Sequence, residues 1–142
     1  MTNATLTLRG AALAATLLWS STGDDGEPLD RCYCAGDIAA DDLERLTAEF
    51  DAFTEAADAA LDAAWAAGEL PPWFDPAEHS LHDLGPRHDD ALEHDYVLTR
   101  NGHGAGFWDG DWCAMGDTLT ALAQSLPEIE PLVGDDGRIY LY

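Results

Sequence analysis

The stretch from Asp41 to Gly68 leaves the chain few alternatives. Large apolar residues recur at Leu43, Leu46, Phe50, Phe53, Leu61 and Trp65, with Ala57 filling the gap. Steps of three and four put them on one stripe of a helix. Asp41 and Glu44 have the spacing of a capping box at its start. Gly68 provides a stop, and Pro71-Pro72 forbids continuation. The carboxylates on this helix are ordered too. Glu44, Asp51, Glu55, Asp58 and Asp62 fall on a second face, away from the apolar stripe. At 1.5 Å per residue, Asp51 to Asp62 covers about 16 Å. Like charges at these spacings repel, by about 0.2–0.5 kcal/mol per close pair, and no Lys relieves them.

The same imbalance runs through the whole chain. Six Arg and no Lys face 19 Asp and 9 Glu, a formal net charge of −22. Affinity for nucleic-acid phosphate comes from Lys and Arg that displace counterions, so a direct nucleic-acid binder is excluded. Docking on an anionic membrane is disfavoured for the same reason. With 142 residues and 46% apolar content, one domain with a real core is expected.

The remaining elements are read from local signals. Arg9 and the run Gly10–Leu18 have the look of a signal peptide. Leu18-Trp19-Ser20-Ser21-Thr22 is a poor cleavage site, however, and the run is too short to span a bilayer. The competing reading is a first amphipathic helix burying Leu6, Leu13, Leu17 and Leu18. Residues 23–37 form an acidic, Gly-rich connection. Residues 69–93 form a Pro- and His-rich loop with one short helical turn around Pro76–Leu84. Asp95-Tyr96-Val97-Leu98-Thr99-Arg100 has the content of a strand, and Asn101-Gly102 that of a hairpin turn. Residues 105–109 are then its partner strand. Asp117 caps a helix from Thr118 to about Leu126, ended by Pro127. A second hairpin joins Pro131-Leu132-Val133 to Arg138–Tyr142 across Gly134-Asp-Asp-Gly137.

The expected fold class is therefore α+β. N-terminal helices pack on a small antiparallel sheet made of two β-hairpins with an intervening helix. Residues 1–142 form a single domain: 1–68 mainly helical, 69–93 the loop, and 94–142 hairpin-helix-hairpin.

Leu98-Thr-Arg-Asn-Gly-His-Gly-Ala-Gly-Phe-Trp-Asp109 is the most information-rich segment. With Leu18-Trp-Ser-Ser-Thr22, Asp24–Asp30, Gly116-Asp117, Leu119-Thr120 and Val133–Gly137 with Ile139-Tyr140, it closely resembles a family of small uncharacterised proteins encoded by phages, plasmids and bacterial hosts. The resemblance implies that the Trp19 segment belongs to the mature domain. It also implies a phage or mobile-element accessory protein in a bacterial cytoplasm. It carries over no activity. The 69–93 loop and the scarcity of Lys depart from the family pattern.

Chemistry-bearing residues are weighed against these settings. His103, beside Arg100 and Asn101 and with Asp95, Asp109 and Asp111 near in sequence, has the makings of a general base with an orienting carboxylate. No nucleophile elbow, phosphate loop or HExxH motif accompanies it, so no catalytic residue is assigned. Zinc needs four N or S ligands in close pairs. Only His79 and His82 are suitably spaced, with His88, His94 and the poor pair Cys32-x-Cys34 as further donors, so no metal or cofactor is expected. Three Cys are too few for a disulfide scaffold, and reduced thiols are expected.

The acidity admits three explanations: imitation of nucleic acid, a halophilic host, or a compositional bias of the genome. The functional expectation is an acidic accessory protein that binds a basic partner such as a nucleic-acid-binding or defence enzyme. Asp51, Glu55, Asp58 and Asp62 supply the attraction, and Arg100, Asn101, His103, Trp108 and Asp109 supply specific contacts. The alternatives are a small-ligand binder or minor enzyme centred on Arg100, Asn101 and His103, and a housekeeping protein of a salt-adapted host. The sequence leaves the oligomeric state open.

Overall fold

The computed structural model describes residues 8–86, 90–103 and 105–142. Helix α1 spans Leu8–Trp19, α2 Ala40–Ala66, α3 Ala91–Arg100 and α4 Gly116–Gln124. Strands β1 (Pro131–Val133) and β2 (Ile139–Leu141) follow. The class is mixed helix and strand, with helices dominating.

The apolar stripe of α2 is buried as its spacing predicts: Leu46, Phe50, Phe53, Ala57 and Leu61 are all inside. Trp65 is not, being 42% exposed. A step of four residues overshoots a full turn by about 40°. Two such steps beyond Ala57 carry Trp65 towards the acidic face. The capping box does not form either. The helix starts at Ala40 with Ala39 as its N-cap and no side-chain cap. Asp41 and Asp42 occupy the first turn, where the helix dipole favours negative charge.

The segment expected as a strand at 95–100 is the second half of α3. Of its ten residues only His94 is less than fully buried. α1 and α4 pack on it directly, and the Tyr96 ring lies 5.0 Å from Phe50 and 4.7 Å from Phe53 of α2. Its ten residues are shorter than the window in which a helical period stands out. Tyr96, Val97 and Thr99 then read as strand by propensity, which tertiary packing overrides.

The Asn-Gly pair accordingly closes a helix instead of a hairpin. Gly102 sits at φ +66. Its N–H bonds Thr99 O at 3.1 Å, and His103 N–H bonds Leu98 O at 2.9 Å, the paired bonds of a Schellman cap. The partner strand expected at 105–109 is a loop entering a 3-10 turn at Phe107–Asp109. Leu6, His88 and Gly104 of the sequence reading lie outside the described residues.

Other expectations hold. Leu13, Leu17 and Leu18 of α1 are buried. Leu119 and Ala123 of α4 face inward, but Asp117 does not cap the helix: α4 starts at Gly116 with Met115 as its N-cap and no side-chain cap, and Asp117 sits in the first turn, where the helix dipole favours it. The C-terminal hairpin pairs Pro131 with Leu141 and Val133 with Ile139. Its outer edge is covered by the start of α2: Leu141 N–H donates to Asp42 Oδ2 at 2.9 Å, and Arg45 Nη2 donates to Leu141 O at 2.8 Å. Strand β2 also bridges Ile38 in parallel. The Pro-rich 69–86 connection is packed down by Leu70, Phe74, Leu81 and Leu84, with a 3-10 turn over Leu81–Leu84.

Gly106 marks the tightest approach. A Cβ there would lie 2.4 Å from Thr99 Oγ1, which accepts the Phe107 N–H at 3.0 Å. Gly102→Ala is expected to destabilise by about 1–2 kcal/mol, the cost of an L residue held left-handed. Gly106→Ala is expected to cost a further 1–3 kcal/mol or so, since the Thr99 hydroxyl must move and strand a buried N–H. Urea unfolding of both variants checks this. Equal losses would show that the Thr99 contact does not hold the loop.

Candidate functional site

The 98–109 segment brings several sequence-singled residues to the end of α3 but turns them to different jobs. Arg100 is buried, its side chain 4% exposed. Its Nε donates to Pro127 O at 2.8 Å, and Nη1 donates to Glu49 Oε1 at 3.0 Å and to the Tyr96 hydroxyl at 3.1 Å. Asn101 pairs with one residue from both ends of its amide. Nδ2 donates to Ile129 O at 3.1 Å, and Oδ1 accepts Ile129 N–H at 2.8 Å. Arg100 and Asn101 thus fasten the 127–129 segment to α3. His103 is exposed on another side, its ring 6.2 Å from that of Trp19. The His94 ring lies 5.5 Å from the same indole. Trp108 and Asp109 are exposed, and Asp109 accepts the Gly106 N–H at 3.2 Å. Arg100, Asn101 and His103 therefore do not converge on one reaction centre.

The acidic face of α2 is better preserved. Glu55, Asp58 and Asp62 are exposed, and among the described residues no ion pair reaches them. Asp51 differs: Arg9 of α1 pairs with it while lying over the Phe50 ring. Arg31 pairs with Glu27, Arg45 with Asp42, and Arg100 with Glu49. These four cations are thus tied to carboxylates of the same chain, whereas Arg138 is exposed on the C-terminal hairpin. Trp65 stands beside Asp62 at the carbonyl end of α2, where the last turn holds no basic residue. Helix polarity adds negative potential there.

Two features escaped the sequence reading. Asp95 is buried and accepts the Trp112 indole N–H at 2.6 Å. Their seventeen-residue separation, with α3 misread as a strand, hid the pair. Four of the five Trp are exposed: Trp19, Trp65, Trp73 and Trp108. Only the 40° drift along α2 signals Trp65 in advance.

Metal chemistry has little to build on. Among the described residues no group of three or more His, Cys, Asp or Glu is gathered for a metal, and His79 pairs with Asp83 at 3.4 Å. Cys32, Cys34 and Cys113 are exposed free thiols. Among the described residues no helix is long and apolar enough to cross a membrane. No family model, curated protein or solved structure matches the chain.

Burial raises the Asp95 carboxyl above the ordinary range, against the opposing Trp112 hydrogen bond, and burial raises Glu93 as well. A carboxyl with a raised folded value holds its proton longer in the folded chain than in the unfolded one. The folded state then binds more protons between the two values, and stability falls as pH rises through that window. The window opens near the ordinary carboxylate value, about 4. Asp95→Asn is expected to flatten the decline in stability as pH rises above about 4. Trp112→Phe is expected to cost about 1–3 kcal/mol by leaving the buried carboxyl without its donor. Denaturant titrations across pH measure both. A slope unchanged by Asp95→Asn would assign the pH dependence to other groups.

Proposed function

We propose that the chain is an acidic accessory protein that binds a basic protein partner through the solvent face of the second half of α2. One observation carries the reading: Arg9, Arg31, Arg45 and Arg100 are paired internally, whereas Glu55, Asp58 and Asp62 project unneutralised beside an exposed indole. Carboxylates steer a cationic surface over a Debye length. Trp65 then offers the kind of anchor that dominates interfaces, and its ring face attracts Arg and Lys. A basic groove that ordinarily receives phosphate, as in a nucleic-acid-binding or defence enzyme of a bacterial host, suits this charge. Arg100 and Asn101 are turned inward, whereas His103, Trp108 and Asp109 are exposed and offer surface for contacts outside α2.

One observation favours a second reading, adaptation to salt. Exposed carboxylates also occur at Asp24, Asp25 and Asp30, at Asp111 and Asp117, and at Glu128, Glu130 and Asp135. A general solvating surface needs no particular face.

A charge-matched pair of variants separates the two. Glu55→Gln with Asp58→Asn and Asp62→Asn removes three charges from α2. Asp24→Asn with Asp25→Asn and Asp30→Asn removes three from the loop. Binding of an arginine-rich peptide, followed by fluorescence anisotropy at low salt, is expected to weaken about tenfold for the α2 variant and much less for the loop variant, a difference of about 1.4 kcal/mol. Trp65→Ala is expected to weaken it further at constant charge. Equal weakening by both triple variants would overturn the docking face and leave the acidity to salt adaptation or genomic composition.

A further inference from the structure

A half-open cleft of about 270 Å³ lies between α2, the end of α3 and the C-terminal hairpin. That is the liquid volume of about nine waters. Leu46, Ile129 and Leu141 supply apolar wall, and Arg100 and Glu49 line it together.

The Arg100–Glu49 pair is end-on. Only Nη1 and Oε1 meet, and Nε is engaged by Pro127 O. Among the described residues Arg100 Nη2 and Glu49 Oε2 have no hydrogen-bond partner, yet no buried side-chain nitrogen or oxygen there lacks one. Nη2 therefore keeps some accessible surface although the side chain is only 4% exposed, and the cleft is the recess that Arg100 lines. A guanidinium N–H donor and a carboxylate acceptor are thus offered side by side at an apolar-walled cleft.

The charges limit what fits. Arg45 and Arg100 face the cleft with Glu49 and Glu128, so its lining is balanced. The net charge of −22 repels an anion at long range, and the Arg100 guanidinium repels a cation at contact. An adjacent carbonyl and N–H on a flat body meet both groups without a charge: the carbonyl accepts from Nη2, and the N–H donates to Oε2.

We infer that this cleft binds a small neutral ligand through an amide edge, the carbonyl to Arg100 and the N–H to Glu49. The inference is independent of the α2 docking face.

Three probes of nearly equal shape test it on the full chain: benzamide, benzoate and benzamidine. In amide-proton NMR titrations benzamide is expected to move the Ile129, Leu141 and Tyr142 resonances with millimolar or tighter affinity. The anion and the cation are expected to bind at least about tenfold more weakly, a gap within the cost of an unmatched buried polar group. Glu49→Gln keeps a carbonyl for Nη1 but replaces the free acceptor, and is expected to abolish the benzamide shifts while leaving the spectrum folded. Arg100→Lys keeps the charge without the second donor and is expected to do the same if it folds. Benzamide shifts absent from the cleft, or undiminished in Glu49→Gln, or benzoate or benzamidine binding as tightly as benzamide, would overturn the inference.

Discussion

The enclosure of α3 is the constraint on which the architecture depends. A short helix buried on every side still carries Asp95, Thr99 and Arg100 into the interior, and each must find a partner or forfeit stability. Each finds it in a different part of the chain. Asp95 takes Trp112, Thr99 takes the Phe107 N–H, and Arg100 takes Glu49 and Pro127. The helix is the hub because its polar groups are the ties. Apolar contact alone holds neighbours near it, whereas these bonds set where each one sits.

The legible parts of the chain are those where one face meets water. α2 announces itself because its buried and solvated sides alternate with helical period, and the C-terminal hairpin because two glycines bracket two aspartates. α3 is illegible for the opposite reason. Burial all round leaves no solvated face to mark it, and over only ten residues its β-branched and aromatic side chains then favour the wrong element. Asn101-Gly102 is a true signal of left-handed backbone, but that conformation serves a helix end as well as a hairpin. The exposed acids at Glu55, Asp58 and Asp62 were visible from the sequence. The internal pairing of Arg9 with Asp51 and of Arg100 with Glu49 was not, since it depends on distant residues meeting.

The pairing also changes what the charge means. Counting residues gives a surplus of carboxylates but does not say where the cations go. Arg9 lies against an aromatic ring, Arg45 holds a strand edge, and Arg100 sits in the core. These are structural positions with a second duty beyond neutralisation. Arg100 is removed from the accessible surface, while Arg9 and Arg45 stay half exposed with their charge already matched by Asp51 and Asp42.

The grip of Asp42 and Arg45 on both backbone groups of Leu141 has a consequence for how the chain is made. Partners 99 positions apart cannot meet while the later one is still inside the ribosome. The opening turn of α2 therefore waits unpaired until the hairpin has emerged, and until the two meet the open strand edge is an invitation to other chains. Once formed, the clasp closes that edge with side chains of the same molecule, so the vulnerable interval belongs to biosynthesis and not to the finished protein.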